Sequence, residues 1–258
     1  MGDIARCSLG KPGEFYSEEL LYQMFGINAE LLIDHAWGCE SCTIAQIRAY
    51  KPQSSSLGCG QVLPCPYTAD KARIVVQEMI DGISLELVEK RLVTDQLVLT
   101  VGYDIENLTR PEIRKVYKGP VTTDRYGRRV PKHAHGTWNL PRATSSSSEL
   151  LEAMAALYDK IVNPALLIRR MSLSACHVVN EKMAKEREQK ETFEQLDLFT
   201  DYAKKEAKEK EEQKKRERER RMQEALLTIK KKYGKNAVLR GMNFEEGATA
   251  KERNGQIG

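Results

Sequence analysis

The sequence predicts an α+β protein whose central part is a two-layer domain, in which two helices cover one face of a four-stranded sheet. The prediction rests on the order strand, helix, strand, strand, helix, strand between residues 48 and 180. Apolar residues alternate in the expected strands and recur every three or four residues in the expected helices. This β-α-β-β-α-β order is typical of domains whose helices both lie on the apolar face of the sheet.

Periodicity places each element of this domain. Residues 54–63 are extended and contain glycine, and residues 72–87 carry apolar side chains at helical spacing. Alternation returns over 95–105 and again over 133–140, on either side of a polar excursion. Within that excursion, the turn signal from Asp124 to Arg128 indicates a small hairpin. A second helix is predicted from Leu150 to Ile161, and the last strand over 168–179.

Three further segments flank the central domain. Residues 1–47 predict two short helices separated at Gly26, and they are too few to form a core alone. Residues 181–233 are rich in Lys, Arg, Glu and Gln, which is typical of a solvent-exposed single helix. Residues 234–258 contain five glycines and few apolar residues, so we expect a flexible tail.

Charge is unevenly distributed along the chain. Residues 1–47 hold two basic and seven acidic residues, a net charge of −5, although the whole chain carries +4. Residues 48–180 hold 18 and 13, net +5, and residues 181–258 hold 21 and 17, net +4. The central domain is therefore where we expect a phosphate backbone to bind.

Composition excludes several classes of protein. No apolar run approaches the roughly 20 residues that cross a bilayer, so no membrane partner is predicted. The first residues contain no secretory signal, which predicts a cytoplasmic protein with reduced cysteines. Cys39 and Cys42 have the spacing of half a zinc site, but Cys59 and Cys65 do not supply a matching second half. No metal site and no cofactor are predicted.

The sequence also lacks the residues of a catalytic site. Nucleotidyl transfer needs two metal ions held by convergent carboxylates. Asp95 and Asp104 flank one predicted strand but would stand about 30 Å apart at the rise of an extended chain. No phosphate-binding loop, nucleophile elbow or metalloprotease motif is present. We therefore predict no catalytic residue and no enzyme activity for this chain alone.

The face of the predicted sheet opposite the helices is polar. Its hydroxyls, imidazoles and guanidinium group suit a sugar-phosphate backbone. An RNA-binding or protein-binding scaffold of the ferredoxin-like type is the alternative, although RNA readers of that type use aromatic side chains on this face. The predicted DNA-binding residues lie on this face or beside it: Lys51, Ser54, Ser55, Ser56, Lys132, His133, His135, Thr137, Arg142, Thr144, Arg169, Arg170, Ser172 and Ser174.

Three stretches resemble a known family. Residues 21–32 (LYQMFGINAELL), followed by Ala36, Trp37 and Gly38, resemble the end of the thumb of Y-family translesion DNA polymerases. Residues 50–64 (YKPQSSSLGCGQVLP) are similar to the entry into that family's little-finger domain, and residues 168–173 (IRRMSL) resemble its last strand. The β-α-β-β-α-β order agrees with that domain. The bacterial polymerase IV and polymerase V types look most similar.

The resemblance implies a division of the chain. Residues 1–47 would be a thumb remnant, 48–180 the little-finger DNA-binding domain, 181–233 a charged helical segment and 234–258 a tail. The palm and fingers, which hold the parent enzyme's Mg²⁺, would precede Met1, so the chain is expected to be a fragment. Its expected function is to grip damaged or primer-template DNA, as a monomer, during translesion synthesis and DNA repair.

One apolar cluster interrupts the charged segment. Its five residues are Gln195, Leu196, Asp197, Leu198 and Phe199. Such a cluster in a polar segment suggests a docking peptide. The pentapeptide resembles the motif by which bacterial polymerases bind the sliding clamp, which implies the clamp as a partner. The alternative is that the leucine and phenylalanine at its end pack on the neighbouring domain while Asp197 or Thr200 caps the next helix.

Overall fold

A computed structural model describes residues 1–40, 42–50, 55–124, 127–184, 186 and 202–255, without the side chains of residues 202–209. The chain divides into two compact units, Met1–Gln53 and Ser54–Gly258. The second unit contains an antiparallel sheet with helices, so the predicted α+β class is confirmed.

The first unit consists of four short helices. They are α1 (Gly2–Cys7), α2 (Glu18–Phe25), α3 (Asn28–Ala36) and α4 (Ile44–Ala49). The two helices predicted on either side of Gly26 are present, and this glycine ends α2 with a positive φ of 58°, which glycine adopts without steric cost. Among the described residues of this unit, the apolar core consists of the buried side chains of Cys7, Leu21 and Ala29. Helices α1 and α4 were not predicted, since both are too short for a periodic signal.

The sheet of the second unit contains four long strands. They are β1 (Leu57–Tyr67), β2 (Leu92–Tyr103), β5 (Ala134–Thr144) and β6 (Ile168–Cys176), and the short β7 (Val179–Asn180) pairs with the start of β2. The strands lie in the order β1-β6-β2-β5, and every neighbouring pair is antiparallel. Strands β1 and β2 are therefore parallel to each other, with β6 between them.

Two long helices cover one face of this sheet. Helix α5 (Ala69–Lys90) joins β1 to β2, and α8 (Ser147–Ile161) joins β5 to β6. Alternate residues of the central strands point to these helices and are fully buried, among them Leu97, Leu99 and Leu173. The Tyr158 hydroxyl of α8 donates to the carbonyl of Ala69 at 2.7 Å, and burial raises the pKa of this tyrosine. The other face of the sheet carries no helix of this pair.

The polar excursion occupies residues 105–132, between β2 and β5. It contains α6 (Glu106–Thr109), α7 (Pro111–Val116) and the hairpin of β3 (Val121–Thr123) with β4 (Arg129–Pro131). The predicted hairpin is confirmed, whereas the two short helices were not predicted. Asn107 anchors the excursion, because its buried amide donates to the carbonyls of Asp104 and Leu167 at 2.8 Å each and accepts from the Leu167 N–H at 2.7 Å.

The charged helix α9 (Tyr202–Tyr233) is not a solvent-exposed single helix along its whole length, so this prediction is wrong for its second half. Gln223 is buried and donates to the carbonyl of Ser145 at 3.0 Å and to the hydroxyl of Ser147 at 2.7 Å. Glu219 accepts hydrogen bonds from Ser146 and Ser148 at the start of α8. Long polar side chains hold this helix against the start of α8, and the apolar periodicity of a sequence does not indicate such contacts.

The segment after α9 is folded onto the domain, which corrects the expectation of a flexible tail. It contains a short 3₁₀ helix (Gly241–Phe244) and α10 (Ala250–Arg253). The buried carboxylate of Glu78, on α5, accepts from the backbone N–H groups of Thr249 and Ala250 at 2.9 Å each. It also accepts from the amide of Asn243 at 2.7 Å. A buried acidic side chain needs such partners, and this segment supplies them.

Over the described ranges of the chain, no helix has both the length and the apolar character to cross a bilayer. The six cysteines are free thiols, and Cys39 and Cys42 are exposed. Burial raises the pKa of the Cys59 thiol.

Candidate nucleic-acid interface

The face of the sheet opposite α5 and α8, here called the open face, carries polar side chains on β2, β5 and β6, together with Val98 and, on β1, Gly58, Gly60 and Val62. Strand pairing arranges its residues in rows that cross the sheet. One row contains Ser174, Val98 and Thr137, and the next contains Ser172, Thr100 and His135. A further row pairs Arg170 with Gly102. Five of the predicted DNA-binding residues therefore lie side by side on the open face: His135, Thr137, Arg170, Ser172 and Ser174.

Hydrogen bonds within the open face orient two of its rows. The Thr100 hydroxyl and Nδ1 of His135 are 2.9 Å apart, and Nε2 of Gln96 donates to Oδ1 of Asn139 at 2.9 Å. Thr100 and Gln96 were not among the predicted residues, because only the apolar face of β2 was assigned from the sequence. Their alternation with Leu97, Leu99 and Val101 was the signal that could have identified them.

Arg170 lies flat across the sheet because its neighbour on β2 is a glycine. A Cβ atom on Gly102 would stand 2.6 Å from Cγ of Arg170 and 2.7 Å from its Nε. These distances are shorter than any van der Waals contact, so only glycine leaves room for the arginine side chain. Arg170 is exposed, and its position is the end of the sheet at which β2 leads into the excursion.

Three predicted contacts adjoin the open face. Lys132 and His133 are exposed immediately before β5, and Ser56 is exposed immediately before β1. Ser55 is also exposed, but its hydroxyl donates to the carbonyl of Val178 and therefore holds the start of β1 in place.

Three other predicted contacts do not lie on the open face. Arg142 is half-buried, forms an ion pair with Glu149 of α8 and faces α9. The Thr144 side chain is buried, and its hydroxyl accepts from the N–H of Ser146 at 3.1 Å. Arg169 lies at an irregularity in β6, donates to the carbonyl of Pro64 at 3.2 Å and approaches Asp104 at 3.7 Å. Arg142 and Arg169 therefore each already have an acidic side chain as a partner.

The remaining predicted residues lie outside the part of the chain that the structure describes. They are Lys51 and Ser54, before β1, and the predicted clamp-binding residues Gln195, Leu196, Asp197, Leu198 and Phe199.

Positive charge in the central domain is concentrated in the excursion. Residues 105–132 contain eight basic and three acidic residues, a net charge of +5, whereas the rest of 48–180 contains ten of each. The excursion thus carries all of the net charge that the sequence analysis assigned to the domain as a whole. The charge of residues 105–132, taken as a separate segment of the sequence, locates this positive charge.

The open face carries no Phe, Tyr or Trp at the positions that the strand pairing defines. It can donate hydrogen bonds from hydroxyls and a guanidinium group, but it offers no large ring on which a base could stack. Within the described residues, no group of three or more His, Cys, Asp or Glu side chains could hold a metal ion. Comparison with known proteins finds no family model that matches the chain and no curated protein that is similar to it.

Proposed function

We propose that this chain is a DNA-binding module that holds the sugar-phosphate backbone of primer-template or damaged DNA and does not itself copy it. The observation that carries the proposal is the row arrangement of the open face. Arg170, Ser172 and Ser174 stand beside Thr100, His135 and Thr137 on three neighbouring strands. Hydroxyl and guanidinium donors on a flat surface suit phosphate oxygens, which accept most protein–DNA hydrogen bonds.

The proposal includes the family suggested by the sequence. The resemblance of residues 50–64 and 168–173 to the little finger of Y-family polymerases supports a role in translesion synthesis and DNA repair. Residues 57–64 of the first stretch belong to β1 and residues 168–173 belong to β6, two strands that pair with each other. In that reading, the metal-dependent chemistry belongs to the parent enzyme, and the sliding clamp binds the pentapeptide from Gln195 to Phe199.

An RNA-reading sheet of the ferredoxin-like type is the alternative function. Such sheets stack two or three bases on aromatic side chains. The absence of Phe, Tyr and Trp from the paired positions of the open face favours backbone binding instead.

The test is the salt dependence of DNA binding. Fluorescence anisotropy with a labelled 20-base-pair duplex, titrated at several salt concentrations, gives the slope of log affinity against log salt. Arg170→Ala should reduce the slope by about 0.9, the contribution of one phosphate contact. Lys160→Ala is the matched control, because Lys160 is an exposed cation at the end of α8, in the helical layer. The proposal is wrong if the chain does not bind duplex at low salt, or if both variants change the slope equally.

A further inference from the structure

The excursion presents a group of unpaired cations. Arg114, Lys115, Lys118, Arg129 and Lys132 are all exposed, and in the described part of the chain none of them forms an ion pair. By contrast, Arg110 pairs with Glu106, and Arg128 pairs with Asp124. These two ion pairs involve two of the three acidic residues of the excursion, so the five exposed cations named above face solvent without an acidic partner among the described residues.

These cations are held on a folded scaffold. Ile113 and Tyr117 of the excursion pack against the main core, and Pro131 at the end of β4 is buried. The Tyr117 hydroxyl donates to the carbonyl of Pro120 at 2.8 Å, which closes the chain between α7 and the hairpin. Together with the Asn107 anchor, these contacts fix the backbone that carries the cations, so little ordering entropy opposes binding.

The position of the excursion connects it with the open face. β2 enters the excursion after Tyr103 and β5 leaves it at Ala134, which pairs with Val101. Arg170, opposite Gly102, lies at the same end of the sheet. The excursion therefore begins and ends at the same end of the sheet as Arg170.

From these observations we infer that the excursion is the principal phosphate-binding element of the chain and that its ligand is the backbone of duplex DNA. This inference rests on the proposed function and assigns most of the affinity to residues 105–132 instead of the sheet. A duplex presents one phosphate charge for about every 1.7 Å of helix axis, a density that a compact set of lysines and arginines can match. Binding of single strands relies on aromatic stacking, and the one described aromatic side chain of the excursion, Tyr117, is half-buried with its hydroxyl engaged.

The experiment compares two variants of equal charge in the full chain. The first replaces Lys115, Lys118, Arg129 and Lys132 with glutamine. The second, a matched control, replaces Lys214, Lys215, Arg218 and Arg221 of α9 with glutamine, because these four cations are exposed as well. Both are titrated with the 20-base-pair duplex between 50 and 200 mM salt, and with a single strand of the same length. Thermal melts establish that both variants fold.

We expect the magnitude of the salt slope to be smaller in the excursion variant by about 3.6, which is 0.9 for each of four phosphate contacts. Between 50 and 200 mM salt, the affinity of wild type should therefore fall by roughly 150-fold more than the affinity of this variant. The α9 variant should keep most of the slope, and the duplex should bind wild type more tightly than the single strand. Equal losses in both variants, or tighter binding of the single strand, would overturn the inference. An unchanged slope in the excursion variant together with a loss in Arg170→Ala would overturn it while leaving the proposed function intact. If wild type binds no duplex, both fail.

Discussion

The carboxylate of Glu78 holds the segment after α9 on the domain, and replacing it should release that segment. One oxygen, Oε2, accepts from the N–H groups of Thr249 and Ala250 and from the Thr249 hydroxyl, while Oε1 accepts from Asn243. Glu78→Ala removes the acceptor from two buried backbone N–H groups, each of which costs about 1–3 kcal/mol when unsatisfied. The expected loss in free energy of unfolding is about 2–6 kcal/mol if the segment stays docked.

The free energy that holds the segment on the domain sets an upper limit to the loss in stability. When the cost of two unsatisfied N–H groups exceeds the free energy of docking, the segment leaves the surface and water satisfies both groups. Glu78→Ala should then increase hydrogen exchange in residues 241–255 far more than in α5. Exchange measured by mass spectrometry and a thermal melt give the local and the global effect separately.

Glu78→Gln provides a finer test, because the introduced amide has nearly the same shape. Its oxygen can occupy the position of Oε2 and keep three of the four hydrogen bonds, but its NH₂ group then faces the amide nitrogen of Asn243. Asn243 cannot simply turn its amide around, since its oxygen accepts from the N–H of Arg240 at 2.7 Å. We expect a loss of about 1–2 kcal/mol, close to one hydrogen bond to a charged group.

Adding Asn243→Asp to Glu78→Gln should restore stability, because one aspartate oxygen can accept from the introduced amide while the other accepts from Arg240. Glu152→Gln, on the exposed surface of α8, is the control and should change stability by less than about 0.5 kcal/mol. Wild-type exchange over residues 241–255 in Glu78→Ala, or no rescue in the double variant, would refute this account of the docking.

Three further outcomes are expected. Gly102→Ala should displace the Arg170 side chain and lower the salt slope of duplex binding by up to about 0.9. Gly60→Ala is the control and should leave the slope unchanged, because its Cβ would lie 3.7 Å from the nearest atom. Equal slopes in both variants would contradict the packing argument. The two hydrogen bonds from Arg73, 2.9 Å each, hold the pKa of Asp159 below its ordinary value of 3.8. Because the folded pKa is depressed, the stabilisation is fully present above pH 3.8 and is lost as the pH falls through the lower folded value. Asp159→Asn should therefore cost up to about 1 kcal/mol at neutral pH, the upper range for an exposed pair, and nothing in strong acid; a cost independent of pH in urea titrations would contradict it. A peptide of residues 191–202 should bind the sliding clamp with a Kd of roughly micromolar order in calorimetry, and Leu198→Ala with Phe199→Ala should abolish binding; equal binding by the double variant would exclude a clamp motif.

The sequence predicted the elements of the central domain better than it predicted their contacts. Alternation and helical spacing depend on which residues are buried, so β2 and α8 could be located from Leu97, Leu99 and Leu150. The same alternation places Arg142 and Thr144 on the helix side of β5, together with Trp138 and Leu140. They were chosen for their charge or hydroxyl, against this periodicity. Arg169 lies at the irregularity of β6, where Ile168 and Met171 are both buried and simple alternation does not assign a face.

Contacts made by long polar side chains could not be predicted from the sequence. Gln223 and Glu219 look like members of a solvated helix, and their partners are serines more than 70 residues away. Nothing in local spacing indicates which of many similar Glu and Gln side chains reaches a buried partner. Glu78 was the one indication in the sequence, since it interrupts the apolar positions of α5 between Val75 and Met79. In the structure this glutamate is buried and therefore needs hydrogen-bond partners.

The strand order has a consequence for association between copies. β1 and β5 are the two outer strands, and their backbones could in principle extend the sheet into a second molecule. β1 contains Pro64 and Pro66, and β5 contains Pro141. Proline has no N–H to donate, so both edges lack part of the hydrogen-bonding pattern that an incoming strand would need. The Gln61 side chain of β1 is in addition tied to Thr249 and Arg253 at 2.8 and 2.7 Å. The sheet has one broad face that neither α5 nor α8 covers, and its edges are in this way protected from pairing with a further strand.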